Sequence, residues 1–312
     1  MAAAQPGQRN EEGVSTMDTI DEQAARLQQE WATGPRWAGI TRDYSAADVI
    51  RLRGGAAEGH GPARLGARRL WDLLHRQDAV RALGAVSGDD PVLVVRAGSP
   101  APVVAEAEVG FGGALDAFDF MTAVIEAGAA GVRFEDQLPS GPTRGPGDEK
   151  VLIPTAQHIE TLTAARLAAD VLDVPALVIA RTAAHEAALL SCASDERDHE
   201  FLTGERTADG LHRVAPGLYA CVTRGLAFAP YADLLWLETP APSLAEARAF
   251  ARVIHSQYPE KLLAYSCAPS FDWRAELDDA SIARFQRELA ALGYRFQLTA
   301  PLASVAEVPA LA

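Results

Sequence analysis

Residues Val103–Thr155 read VVAEAEVGFGGALDAFDFMTAVIEAGAAGVRFEDQLPSGPTRGPGDEKVLIPT, and this stretch decides the fold. Two apolar runs of strand type each end in carboxylates: Glu106 and Glu108 after the first, Glu135 and Asp136 after the second. Between them, ALDAFDFMTAVIEAG has the spacing of an amphipathic helix stopped by a glycine. Strand, helix, strand in that order points to a parallel α/β fold, whose strands deliver their C-termini to one rim. Carboxylates gathered on such a rim, with glycines close by, make a hard oxygen-ligand site suited to Mg2+.

The same alternation continues toward the C-terminus. Pro154 to Leu172 reads as a long helix, and ALVIART as a strand ending at Arg181. Ala183 to Leu190 resumes helix, followed by an excursion through Thr207. Gly217 to Ala229 is helical, and LLWLE is a strand ending at Glu238. Ser243 opens the next helix, with Glu246 three residues on to complete a capping box. LLAYSC is a strand, Leu277 to Leu292 a helix, and YRFQL the last strand.

In the other direction, PVLVVRAG is a buried-strand run, and only GSPAP separates it from Val103. Five residues cannot hold the crossover helix that parallel neighbours need. Either a βα unit is missing here, or PVLVVRAG is not a regular parallel neighbour. Gly61 to Leu83 and Thr19 to Trp31 carry helical patterns, and Ser45 is placed to cap a short helix bearing Val49, Ile50 and Leu52. Residues 1–18 are small, polar and patternless, and are expected to be disordered. The expected division is therefore a tail over 1–18, an N-terminal helical segment over 19–85 and a truncated (β/α) barrel domain over 86–312.

Seven strand candidates result, where a closed barrel of this type uses eight. An incomplete barrel would leave an open strand edge, so a homo-oligomer or a partner chain is expected to cover it.

AEAEVGFGG, FEDQL, KVLIPTAQHIETLTAARLAADV, VIART, FLTGERT, LAYSCAPSFDW and RFQRELAALGY follow one another as in the isocitrate lyases, which the chain resembles over roughly Gln28 to Leu298. The resemblance implies a (β/α)8 TIM-barrel-like fold, Mg2+, and cleavage of isocitrate to succinate and glyoxylate. It places Glu106, Glu108 and Glu135 at the metal, with Glu106 standing where the family has an aspartate. It places Arg181 on a substrate carboxylate, and Glu238, Ser266, Ser270 and Thr299 in the substrate pocket. Read from residue chemistry alone, the glutamates could equally be solvated strand ends, and Arg181 a rim partner of Glu135 or Glu238.

The departures from the family are specific. Its Lys-Lys-Cys-Gly-His loop, which carries the proton-donating cysteine, is replaced by PSGPTRGPGDEK between Leu138 and Val151. Arg144 and Lys150 offer charge there but no proton donor of suitable pKa. A Ser-Gly-Trp substrate loop is absent, Ala183 stands where an aspartate is usual, and SCAPS (Ser266–Ser270) stands in place of Asn-Cys-Ser-Pro-Ser. The catalytic residue is left unassigned, with Glu238 a candidate; His185 and His199 are weaker ones, and His158 reads as structural. The resemblance implies a Mg2+-dependent carbon–carbon lyase acting on a small 2-hydroxy or 2-oxo di- or tricarboxylic acid through an enolate. The alternative is a homologue without turnover that serves in assembly.

Bulk composition bounds the rest. The chain has 312 residues, of which 48% are hydrophobic and 22% charged, with a net charge of −14. Without basic blocks, that balance argues against nucleic acid or an anionic membrane surface as partner. It leaves a small carboxylic acid possible, since one local arginine outweighs a distant field. Three cysteines without a CxxC suit a reduced compartment and argue against zinc. With no apolar run of transmembrane length and no signal-peptide core, a cytoplasmic protein is expected.

Overall fold

The computed structural model describes residues 19–53, 60–76, 80–87, 90–95, 102–107, 113–138, 149–267 and 271–302, without the side chains of 80–87, 90–95 and 299–302. Three helices come first: α1 (Ile20–Thr33), α2 (Ala46–Arg53) and α3 (Gly61–Leu74). Thr19 and Glu22 form a reciprocal capping box at α1. Ser45 caps α2 as its sequence predicts, its hydroxyl accepting from the Asp48 amide at 3.2 Å. Helix α3 ends at Leu74, short of the expected Leu83, and the chain re-forms as a strand at Val80.

That strand closes the barrel. Eight strands pair in a ring: β1 (Val80–Ser87), β12 (Tyr294–Leu302), β11 (Leu262–Ser266), β10 (Leu234–Leu237), β6 (Leu177–Arg181), β4 (Gly131–Glu135), β3 (Val103–Glu106) and β2 (Asp90–Val95). Strand β1 runs parallel to β12 but antiparallel to β2, and β2 is antiparallel to β3. Seven strands are thus parallel, and β2 alone is inverted. An antiparallel neighbour can be reached by a short turn, which is why GSPAP suffices between β2 and β3. The TIM-barrel-like α/β architecture agrees with expectation. The count of seven does not: the eighth strand lies where a helix tail was expected, and the ring leaves no open edge for a partner chain to cover.

Helices α4 (Ala114–Glu126), α5 (Thr155–Val171), α6 (Leu218–Phe228), α7 (Leu244–Gln257) and α9 (Asp279–Ala291) accompany the strands, with the single turn α8 (Trp273–Glu276) before α9. Alternation along each strand sets the layers. Val132, Phe134, Val178, Ala180, Leu235, Leu237, Leu263 and Tyr265 belong to one set, all fully or nearly fully buried in the main core with the helices. The other set is mixed and includes Arg133, Glu135, Arg181 and Trp236. A second small sheet joins β5 (Val151–Leu152), just before α5, to β7 (Leu189–Leu190), β9 (His212–Val214) and β8 (Leu202–Arg206) from the segment between β6 and α6. Ala183–Leu190, expected to be helical, is a turn leading into β7.

The N-terminal helices are fixed to the other end of the barrel by charge. Arg36 and Arg166 both hold Asp233, just before β10, and Asp233 also accepts from the Val178 amide at 2.8 Å. Burial by itself would raise the Asp233 carboxyl, but Arg166 and Arg36 outweigh it and hold it below the usual carboxylate range. Arg42 (2.7 Å) and Tyr44 (2.7 Å) both donate to Asp170 near the end of α5. Among the described residues, no helix is long and apolar enough to cross a membrane.

Candidate active site at the C-terminal rim

Neighbouring parallel strands fix which side chains can meet. Glu106 pairs in register with Arg133, and Glu135 with Arg181, which in turn pairs with Trp236. Partners in register share a face of the sheet, so Glu106, Arg133, Glu135, Arg181 and Trp236 line one side. Glu238, two residues after Trp236, follows them.

Their charges interlock. Arg133 Nη2 lies 3.0 Å from Glu106 Oε1, and its guanidinium also sits 5.2 Å from the centre of the Trp236 ring. Arg181 reaches Glu135 Oε2 at 2.9 Å through Nη1 and pairs with Glu238 through Nη2. Burial, followed by the nearby charge of Arg133, lowers Arg181 to about 10, although Glu135 and Glu106 oppose this. The Nε atoms of Arg133 and Arg181 are both buried without a partner. Ser266 is buried at the end of β11, and its Oγ accepts from the Trp236 indole at 2.9 Å.

Beneath the rim lies a buried network. Asp136 is completely enclosed and accepts from Thr182 Oγ1 (2.7 Å), the Ala183 amide (2.8 Å) and Arg224 Nη1 (2.8 Å). Arg224 continues to the Ile153 carbonyl (2.8 Å) and Asp198 (2.9 Å), which anchors Thr155 at the start of α5. This ties the ends of β4 and β6 to the loop entering α5. At Ala183 the backbone amide alone reaches Asp136. His158, in the first turn of α5, is fully buried against Phe228 with ring centres 4.6 Å apart, and neither ring nitrogen has a partner.

Of the expected site residues, Glu106, Glu135, Arg181, Glu238 and Ser266 are therefore placed on or beside one rim. Glu108, Ser270, the Thr299 side chain, Arg144 and the PSGPTRGPGD stretch lie outside the described residues. Glu246 does not complete the expected capping box. Ser243 still caps α7, but the Glu246 carboxylate lies 3.1 Å from His185 Nε2, and the Ser243 amide donates to the Tyr265 hydroxyl. His199 faces the Ala193 carbonyl. Arg133, Asp198 and Arg224 were missed from sequence. Only Arg133 left a signal there: it stands two residues before Glu135, hence on the same face.

The donor chemistry at the rim fits a hard divalent cation. Glu106 and Glu135 are carboxylates on adjoining strands, and a cationic guanidinium already stands against each. Among the described residues no group of three ligating side chains comes together, so these two supply only part of a coordination shell. A cavity of about 330 Å3 lies elsewhere, between α1, α3 and α5, lined by Trp31, Trp37, Arg53, Arg64 and Asp173. It contains none of the strand-end groups, whose charges converge on the rim instead.

The model of the isocitrate lyase family matches residues 97–208 and 204–308. Isocitrate lyase of Mycobacterium tuberculosis is 44% identical over 335 residues, covering 88% of this chain and 78% of that protein. Isocitrate lyase of Escherichia coli is 42% identical over 349 residues, covering 90% and 80%. Both alignments are longer than this chain, so the relatives carry stretches without a counterpart here. Among solved structures, oxaloacetate acetylhydrolase with the inhibitor 3,3-difluorooxalacetate superposes with a TM-score of 0.51 at 17% identity, covering 77% of this chain and 81% of that one. 2,3-Dimethylmalate lyase, a PEP mutase/isocitrate lyase superfamily member, gives 0.44 at 22% identity, over 66% of this chain and just over half (55%) of that one. With two thirds of its length matched by the family model and relatives 42–44% identical over most of both chains, this chain belongs to the isocitrate lyase family.

Proposed function

We propose that the protein is a carbon–carbon lyase that cleaves a small 2-hydroxy or 2-oxo di- or tricarboxylic acid, with isocitrate to succinate and glyoxylate as the family's reaction. The observation that carries this reading is Arg181: a guanidinium nine-tenths buried at the end of β6, between Glu135 and Glu238, with a spare Nε donor. A fork of this kind matches a carboxylate bidentately. An incoming acid would take Arg181 from Glu238, and the freed Glu238 carboxylate is the candidate to accept the hydroxyl proton as the carbon–carbon bond breaks. Ser266 keeps its own proton free to donate, because its Oγ is the acceptor for Trp236.

Glu106, Glu135 and Glu108 would hold a divalent ion, proposed as Mg2+, which supplies Lewis-acid charge to the reacting oxygen. Ser270 and Thr299 complete the proposed pocket. The proton delivered to the product carbanion is not supplied by the two buried cysteines. Cys221 is enclosed in α6, where burial pushes its thiol up, and Cys267 is also buried. The test is an NMR assay of the full chain with Mg2+ and a panel of hydroxy- and oxo-diacids, including isocitrate and 2-methylisocitrate. Cleavage of one of them supports the reading. No turnover across the panel, with no binding either, favours a homologue that acts without catalysis.

A further inference from the structure

Arg133 has no part in the reaction as drawn above, yet it occupies the rim. Its partner Glu106 is its register neighbour on the adjoining strand, so the backbone itself holds guanidinium and carboxylate together. The two side chains are only 11% and 14% exposed, which leaves little water to screen them. Glu106 is also the first of the glutamates that would hold the ion. A divalent cation and a guanidinium cannot both sit on the same carboxylate oxygen without strong repulsion. Arg133 is two residues before Glu135, whose own neighbour is Arg181. The two arginines therefore occupy successive layers, about 7 Å apart along the strands. Each keeps a buried Nε with no partner.

We propose that Arg133 competes with the divalent cation for Glu106 and, once displaced, becomes a second carboxylate-binding group beside Arg181, so that the ion and a di-acid bind cooperatively. A guanidinium expelled from Glu106 inside the barrel needs an anion, because an unpaired buried charge is costly. The second carboxylate of the substrate supplies it. The consequence is a preference for di-acids over mono-acids that appears only when the ion is present. This rests on the lyase reading and deepens it by giving Arg133 a role in coupling the acid to the ion, but it concerns binding and does not depend on turnover.

The experiment is titration calorimetry on the full chain with Mg2+ alone, and with succinate or acetate as unreactive probes with and without Mg2+. The wild type is expected to bind succinate about tenfold tighter with Mg2+, with the reciprocal effect of succinate on Mg2+, and acetate without such a gain. Arg133→Gln is expected to bind Mg2+ about tenfold tighter and to lose the coupling. Glu106→Gln is expected to bind succinate with no dependence on Mg2+, because its Arg133 is already free. Wild type and Arg133→Gln with equal Mg2+ affinity would overturn the competition while leaving the metal reading of the rim intact. No Mg2+ binding by either protein would overturn the metal reading and the proposal with it.

Discussion

His158 offers a stability measurement whose size and sign follow from its surroundings. The ring is completely buried in the first turn of α5, edge-on to Phe228, and both nitrogens lack partners. Burial lowers its pKa from 6.5 to about 4; Asp136 opposes this and Arg224 reinforces it. A helix N-terminus also disfavours an imidazolium. As pH falls, the unfolded chain therefore takes up the proton first. Stability from this group is complete above pH 6.5, declines from there, and is fully lost below about pH 4. At pH 4.5 the linkage amounts to about 2.5 kcal/mol, and at pH 7.5 to about zero. His158→Phe removes the titration while keeping an aromatic ring against Phe228. Urea unfolding of both proteins from pH 7.5 to 4.5 isolates the effect, because other acid-sensitive groups are common to both. The variant should lie within about 1 kcal/mol of wild type at pH 7.5, overpacking being offset by loss of two unpartnered nitrogens. It should then gain on wild type by about 2.5 kcal/mol at pH 4.5. A difference that stays flat across this range, at equal m-values, would refute the reasoning.

Other perturbations test the frame around the site. Arg224→Met should cost about 3–5 kcal/mol in denaturant unfolding, because it strands both Asp136 and Asp198 as buried, half-paired charges; a loss under 1 kcal/mol would count against the network. Gly131→Ala should cost about 1–3 kcal/mol, since its Cβ would stand 2.8 Å from the Leu177 carbonyl oxygen across the β4–β6 ladder; unchanged thermal unfolding would contradict that close approach. Arg181→Ala should weaken binding of a di-acid at least about a hundredfold, the scale of a lost charged fork worth about 3 kcal/mol; unchanged affinity in calorimetry would remove Arg181 from the site.

The sequence by itself determined much of this protein. The period of its apolar residues assigned most barrel strands and helices, because β4, β6, β10 and β11 are buried along most of their length and α4, α7 and α9 on one face. Strand-end carboxylates and Arg181 were legible because a parallel sheet brings its C-termini to one rim whatever the details. The short GSPAP link correctly disputed a regular parallel neighbour, on chain length alone. What only the tertiary structure decided depends on partners far apart in the chain. Val80–Ser87 becomes a strand by pairing with Tyr294–Leu302, more than two hundred residues on, and so turns a gapped barrel into a closed ring. Glu246 leaves its own cap for His185. Arg224 lies on a helix like any exposed arginine until folding sets it between Asp136 and Asp198. Arg133 meets Glu106 because strand register, which no local pattern encodes, places them side by side.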